Sequence, residues 1–201
     1  MSSATVQPAT YGHDASFPRF SVARYQKMIE TGVLDVNDRV ELLENYMVLK
    51  MARNPLHDST IQRSQRVLFQ IVPNGWDVRI QSAVALADSQ PEPDFAFVRG
   101  TGADYETRHP GPVDVGLLIE VADSSLLRDR QDKTRIYARA GIPVYWVVNL
   151  VDRKVEVFSD PDQAANPPAY RSRQAYGPGD QVPLVLDGAA VGSVPAADLL
   201  P

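Results

Sequence analysis

The chain has 201 residues, 44% hydrophobic and 22% charged, with a formal net charge of -5. This balance suits a soluble globular domain with a substantial core, excludes extensive disorder, and argues against coating nucleic acid through bulk electrostatics. No cysteine is present, which excludes disulfide scaffolds, thiolate metal sites and cysteine nucleophiles.

Met1–Pro18 is rich in Ser, Ala, Thr and Pro, without a basic start or a long apolar run. It reads as a flexible N-terminal tail, residues 1–18, ahead of one domain over 19–201. Ser21 is placed to cap a helix over Val22–Thr31, which Gly32 ends. In Arg39–Met51 two apolar-alternating arms flank Glu44-Asn45, and a hairpin is preferred to a competing helix. After the Asn54-Pro55 break, His57–Val72 has helical apolar spacing up to Pro73-Asn74-Gly75.

Trp76–Ala87 alternates as a strand, and Pro91–Val98 is a short strand approached through two prolines, which puts Asp94 at its mouth. A loop over Arg99–Pro112 leads to the apolar strand Val115–Ala122. Ser124 or Ser125 then caps a helix reaching about Ala140, closed by Gly141 and Pro143. Val144–Leu150 and Lys154–Ser159 are strands turned at Asp152-Arg153. Short strands near Tyr170–Tyr176, Val182–Leu186 and Ala190–Val194 are expected to extend the same sheet. No apolar run approaches the about 20 residues of a membrane helix, so a cytoplasmic protein with no membrane partner is expected.

Nucleophile-elbow, phosphate-loop, dinucleotide and zinc-protease signatures are all absent. What stands out is Glu120, a lone carboxylate in Gly116–Ala122, costly to bury without a metal ion or a cation beside it. Adjacent strands could bring Asp94 to the same cavity, and two hard oxygen ligands with room for water suit Mg2+ or Mn2+. Lys133 shares a helix face with Leu126, Ile136, Tyr137 and Ala140. It is either a packed stem with a solvated head or a cation aimed at Glu120.

Rival readings stand beside each residue. Asp94 alone suits a turn, and Glu120 alone suits a buried ion pair with Arg130 or Lys133. Glu41 lies on the solvent face of the hairpin or is a third carboxylate. His57 is a helix-cap neighbour of Asp58, or a general base or phosphate contact at the cavity edge. Arg128, Arg130, Lys133, Arg135 and Arg139 form a basic surface for phosphates or, as the plainer reading, an ion-paired helix face with Asp129 and Asp132.

Six segments in order carry a family resemblance. They are Arg39-Val-Glu-Leu-Leu43, His57 after Asn54-Pro55, Pro93-Asp94, Ile119-Glu-Val-Ala-Asp-Ser-Ser125, Asp129-x-x-x-Lys133-x-x-x-Tyr137 and Ala140-Gly-Ile-Pro-Val-Tyr-Trp-Val-Val148. Together they resemble the Uma-type family within the PD-(D/E)XK restriction-endonuclease-like superfamily, over about Phe20 to Phe158. The resemblance implies an α/β restriction-endonuclease-like core, a mixed central β-sheet flanked by helices, here with added β-hairpins. It also implies a Mg2+- or Mn2+-dependent endonuclease acting on DNA, with Asp94, Glu120 and the Val121 carbonyl as metal ligands. Glu41 matches the family's upstream glutamate. The lysine expected two positions after the glutamate is replaced by Ala122, and Lys133 takes its role. A nuclease-fold nucleic-acid-binding or regulatory protein with little or no turnover is the competing expectation. By analogy with enzymes that cut both strands of a duplex at symmetric sites, a homodimer is expected.

Overall fold

The computed structural model describes residues 17–201, so almost all of the expected 1–18 tail lies outside the described residues. Helix α1 (Val22–Glu30) starts where expected, with the Ser21 hydroxyl accepting the Arg24 N–H at 3.2 Å. Strands β1 (Val40–Leu43) and β2 (Tyr46–Leu49) form the expected hairpin. Glu44 and Asn45 both have positive φ, 50° and 68°, which is what a two-residue type I′ turn demands. Helix α2 (Pro55–Gln70) begins two residues before the expected His57. Asn54 and Pro55 are not a break before it: Asn54 is its N-cap, accepting the His57 N–H at 2.9 Å, and Pro55 fills the first position.

Strand β3 covers only Trp76–Ile80, and β4 is Phe95–Arg99, so the strand expected to reach Ala87 ends early. Gln81 turns the chain with φ 46°, and the segment that follows bonds to itself and to the next loop, through Val84 N–H to Pro91 O and Ala85 N–H to Pro110 O. Short 3-10 turns punctuate that loop before β5 (Val115–Ala122).

The helix expected from Ser124 or Ser125 to Ala140 is not uniform. It comprises α3 (Leu126–Arg128), a π-helical turn (Asp129–Lys133) and α4 (Thr134–Arg139). The Ser125 hydroxyl does not cap the backbone; it donates to Asp129 Oδ2 at 2.6 Å. Strands β6 (Val144–Asn149), β7 (Lys154–Asp162) and β8 (Ala169–Tyr176) follow.

These strands build a six-stranded mixed sheet in the order β3-β4-β5-β6-β7-β8. Only β5 and β6 run parallel, joined by the helical crossover that such a pair requires. The last strands, β9 (Gln181–Leu186) and β10 (Ala189–Pro195), do not extend this sheet as expected but form a two-stranded sheet of their own. Val182, Leu184 and Leu186 alternate with more exposed residues, so β9 has one apolar face to bury. That face packs with α2 and the terminal helix α5 (Ala196–Leu199) against one side of the central sheet. The β1–β2 hairpin and the α4 segment cover the other side. Among the described residues, no helix is long and apolar enough to cross a membrane.

Both faces of β5 are buried, as expected of a central strand with a parallel neighbour. Leu117, Ile119 and Val121 point to the α2 side, while Leu118 and Ala122 point to the α4 side. Strand alternation therefore aims Glu120 at the helix that carries Lys133.

Candidate active site

The β3–β4 register pairs Ile80 with Phe95, and the β4–β5 register pairs Phe95 with Ile119. One step further, Gln81, Asp94 and Glu120 fall in one transverse row on the α4 side of the sheet. Pro93 gives up no backbone donor there, so the chain can leave the ladder just before Asp94. The Asp94 carboxylate is tied down at both oxygens. Oδ2 accepts the Val121 N–H at 2.8 Å and lies 3.5 Å from His57 Nε2, and Oδ1 accepts from the Gln81 amide at 3.2 Å.

Glu120 is 5% exposed, and its Oε1 accepts from Lys133 Nζ and from the Tyr137 hydroxyl, each at 2.8 Å. Of the two expected ion-pair partners, Lys133 is therefore the one that meets it. Arg130 instead reaches Asp152 at 2.9 Å and the fully buried Glu156. Lys133 is itself buried and stands 3.8 Å from both Glu41 and Asp129. Glu41 is thus not on a solvent face: the hairpin packs onto the sheet, and its carboxylate enters the site as the third acid. His57 and Val121 line the same small cavity, of about 80 Å³, with Glu41, Asp94, Glu120 and Lys133.

Two members of this cluster carried no role in the sequence reading. Asp129, only 2% exposed, and Tyr137, fully buried, were read as part of a solvated face and of an apolar stripe. Their signal was the spacing 129, 133, 137, which puts all three on one side of the helix. Of the two readings of that helix's cations, the ion-paired face is the one the structure shows for Arg130, Arg135 and Arg139, with most partners from distant elements rather than from the helix itself. Arg135 and Arg139 bind Glu44 in the hairpin turn, and Arg139 also reaches Asp88.

Electrostatics divide the acids. Burial pushes the Glu120 carboxyl well above the usual range despite Lys133, and the carboxylates of Asp129, Asp94 and Glu41 push it further. Asp129 is raised for the same reasons. Burial acts on Asp94 too, but His57, the Val121 N–H and Gln81 outweigh it and hold this carboxyl below its ordinary value. His57 is raised, chiefly by Asp94. Lys133 is held charged, because attraction to Glu120, Glu41 and Asp129 overcomes the cost of burial.

Four buried carboxylates thus crowd one buried ammonium and one imidazole, a set of oxygen donors that suits a further cation, while Lys50, Arg53 and Arg128 line the same cavity. Among the described residues, no three His, Cys, Asp or Glu side chains are set together closely enough to enclose a metal ion. Mg2+ does not require this, since one or two carboxylates with retained waters suffice. Asp94 and Glu120, adjacent in register and both oxygen donors, fit that kind of ion.

A search of curated proteins returned no match. In fold the chain is similar to a crystal structure described as "a putative nuclease belonging to DUF820 from Anabaena variabilis". The TM-score is 0.64 at 12% identity, over 90% of this chain and 97% of that one, which bears out the expected nuclease-like architecture. Residues 23–191 match the family described as "Uma2: Putative restriction endonuclease". With most of its length inside that match, the chain belongs to the Uma2 family.

Proposed function

We propose that the chain is a cytoplasmic, divalent-metal-dependent endonuclease that hydrolyses phosphodiester bonds in DNA. The observation that carries this reading is the juxtaposition of Asp94 and Glu120 in one register row, with Lys133 on Glu120, at a cavity of a Uma2-family chain. Asp94 and Glu120 are the residues to hold Mg2+ or Mn2+, with the Val121 carbonyl as a neutral oxygen donor. Such an ion supplies Lewis-acid polarisation of the phosphate and a more acidic water.

The chain's own groups account for the rest. Asp94 stays ionised at neutral pH because His57 and the Val121 N–H favour its charged form. Lys133 offsets charge that builds on the phosphate oxygens, inside a site with little water to screen it. Glu41 and Asp129 keep that ammonium charged and in place. His57, raised by Asp94, holds a proton at the cavity edge for a departing oxygen. Lys50, Arg53 and Arg128 line the same cavity and suit contacts to the phosphate backbone, which carry affinity rather than sequence preference. Two such sites in a homodimer would address both strands of a duplex.

Nicking of plasmid DNA with Mg2+ or Mn2+ tests this reading: wild type should cut and Asp94→Ala should not. Equal residual activity in the two purified proteins would sink it. The second reading, a nuclease-fold nucleic-acid-binding protein with little or no turnover, is favoured by one observation. Lys133 already has three carboxylates within 4 Å, a network that balances much of its own charge. DNA binding without metal, together with no heat of Mn2+ binding, would favour that alternative.

A further inference from the structure

The two oxygens of Glu120 have different surroundings. Oε1 accepts both the Lys133 and the Tyr137 hydrogen bonds. Oε2 accepts none from the described residues, yet it is not among the enclosed polar atoms that lack a partner. It is therefore the oxygen open to the cavity that Glu120 lines.

Lys133 and Tyr137 reach one oxygen as an i,i+4 pair at the start of α4, and the π-helical turn before them explains how Asp129 joins them at the site. In a regular α-helix, at about 100° per residue, each four-residue step overshoots a full turn by about 40°, so positions 129, 133 and 137 would fan out over about 80°. The i→i+5 bonding of a π turn slows the advance to roughly 80° per residue, and four steps fall about 40° short. Asp129 to Lys133 crosses the π turn and Lys133 to Tyr137 lies in α4, so the two offsets oppose each other and all three side chains face the site. Arg130, inside the π turn, is directed away from the cavity to Glu156 of β7, two strands from Glu120 in the same row. That buried ion pair fixes the rotation of the turn from its other side.

We propose that Tyr137 is a positioning residue whose hydroxyl, together with Lys133, pins Glu120 so that Oε2 alone is presented to a bound cation. The terminal torsion of a glutamate is broad and nearly two-fold, so a single anchor leaves the carboxylate free to swing. Two donors on one oxygen remove that freedom. Residues that orient a metal ligand in this way are commonly worth 10- to 100-fold in metal affinity. The inference rests on the metal-dependent reading above. The Tyr137 ring is fully buried and packs edge-on against Tyr145, with centroids 4.9 Å apart, so Tyr137→Phe removes the hydroxyl and keeps the packing.

The test is calorimetric titration of the full chain with Mn2+, with thermal melts recorded with and without the ion. Tyr145→Phe serves as the control, since its hydroxyl donates to the Asp129 backbone carbonyl and does not touch Glu120. Tyr137→Phe should bind Mn2+ about tenfold more weakly, equivalent to about 1.4 kcal/mol less metal-induced stabilisation. Tyr145→Phe should bind within about twofold of wild type, whatever its melting temperature without metal. Wild-type affinity in Tyr137→Phe, or an equal loss in Tyr145→Phe, overturns the inference and leaves the metal site standing. Absence of Mn2+ binding by the wild type overturns both.

Discussion

Among the described residues, Lys133 is the single cation within 4 Å of three buried carboxylates, 2.8 Å from Glu120 and 3.8 Å from Glu41 and Asp129. Replacing it by Met keeps a stem of similar length but leaves those acids to repel one another in a site with little water. Removing one partner of a buried ion pair typically costs about 3–5 kcal/mol, and here more than one partner is orphaned, which puts the loss toward the upper end. With a urea m value of about 2–3 kcal/mol/M, the unfolding midpoint should fall by about 1–2.5 M. The converse change, Glu120→Gln, should cost less than about 1.5 kcal/mol. Its amide oxygen still accepts from Tyr137 and Lys133, Lys133 keeps two other acids, and one crowded negative charge is gone.

The pH dependence has a definite sign. A carboxyl raised in the folded state binds protons more readily folded than unfolded, so its penalty is absent below the unfolded value of about 4.5 and grows as pH rises toward the folded value. The deficit of Lys133→Met relative to wild type should therefore shrink between about pH 7.5 and about pH 5. Equilibrium urea unfolding at both values measures it. Equal stability of Lys133→Met and wild type at about pH 7.5, or an equal loss in Glu120→Gln, would refute the claim that Lys133 compensates the acid cluster.

Three further outcomes are expected. In an NMR titration, His57 should titrate above its ordinary value of 6.5 in wild type and fall toward or below it in Asp94→Asn, because Asp94 is the main cause of its shift. Asn54→Ala should lose about 1 kcal/mol in thermal unfolding, the usual cost of an N-cap, since the Asn54 side chain accepts the His57 N–H, one of the otherwise free donors in the first turn of α2. Glu156→Gln should destabilise by about 1–2 kcal/mol in the same urea assay, because it removes the buried charge facing Arg130 and Arg173, while the amide still accepts hydrogen bonds and Arg130 keeps Asp152. Glu156 is held below its usual value, so the stability it adds is present above about pH 4.5 and is lost as pH falls through the folded value. That part of the acid response should vanish in the variant.

What the sequence determined by itself was local or periodic. Ser21, Glu44-Asn45 and Gly32 announced a cap, a turn and a stop, because their backbone chemistry is written in single residues. A carboxylate inside an apolar run marked Glu120, and a lysine on an apolar helix face marked Lys133, because burying a charge demands a partner wherever the chain goes. The order of motifs around them was enough to give the architecture. Which face of β1 is wet was not legible, since alternation shows that a strand has two sides but not that a hairpin will be laid on the sheet and bury Glu41. The same limit hid the separate β9–β10 sheet, whose apolar alternation serves equally well for adding to the sheet edge or packing on its face. The π turn was invisible for a different reason. Helical periodicity is read at one pitch, whereas the extra residue per turn is held by Arg130 reaching a glutamate on another strand. Tyr137 shares the Lys133 face at ordinary pitch, but only the tertiary structure brings Asp129 to Lys133 on that face, because a change of helical phase is set by contacts far apart in the chain.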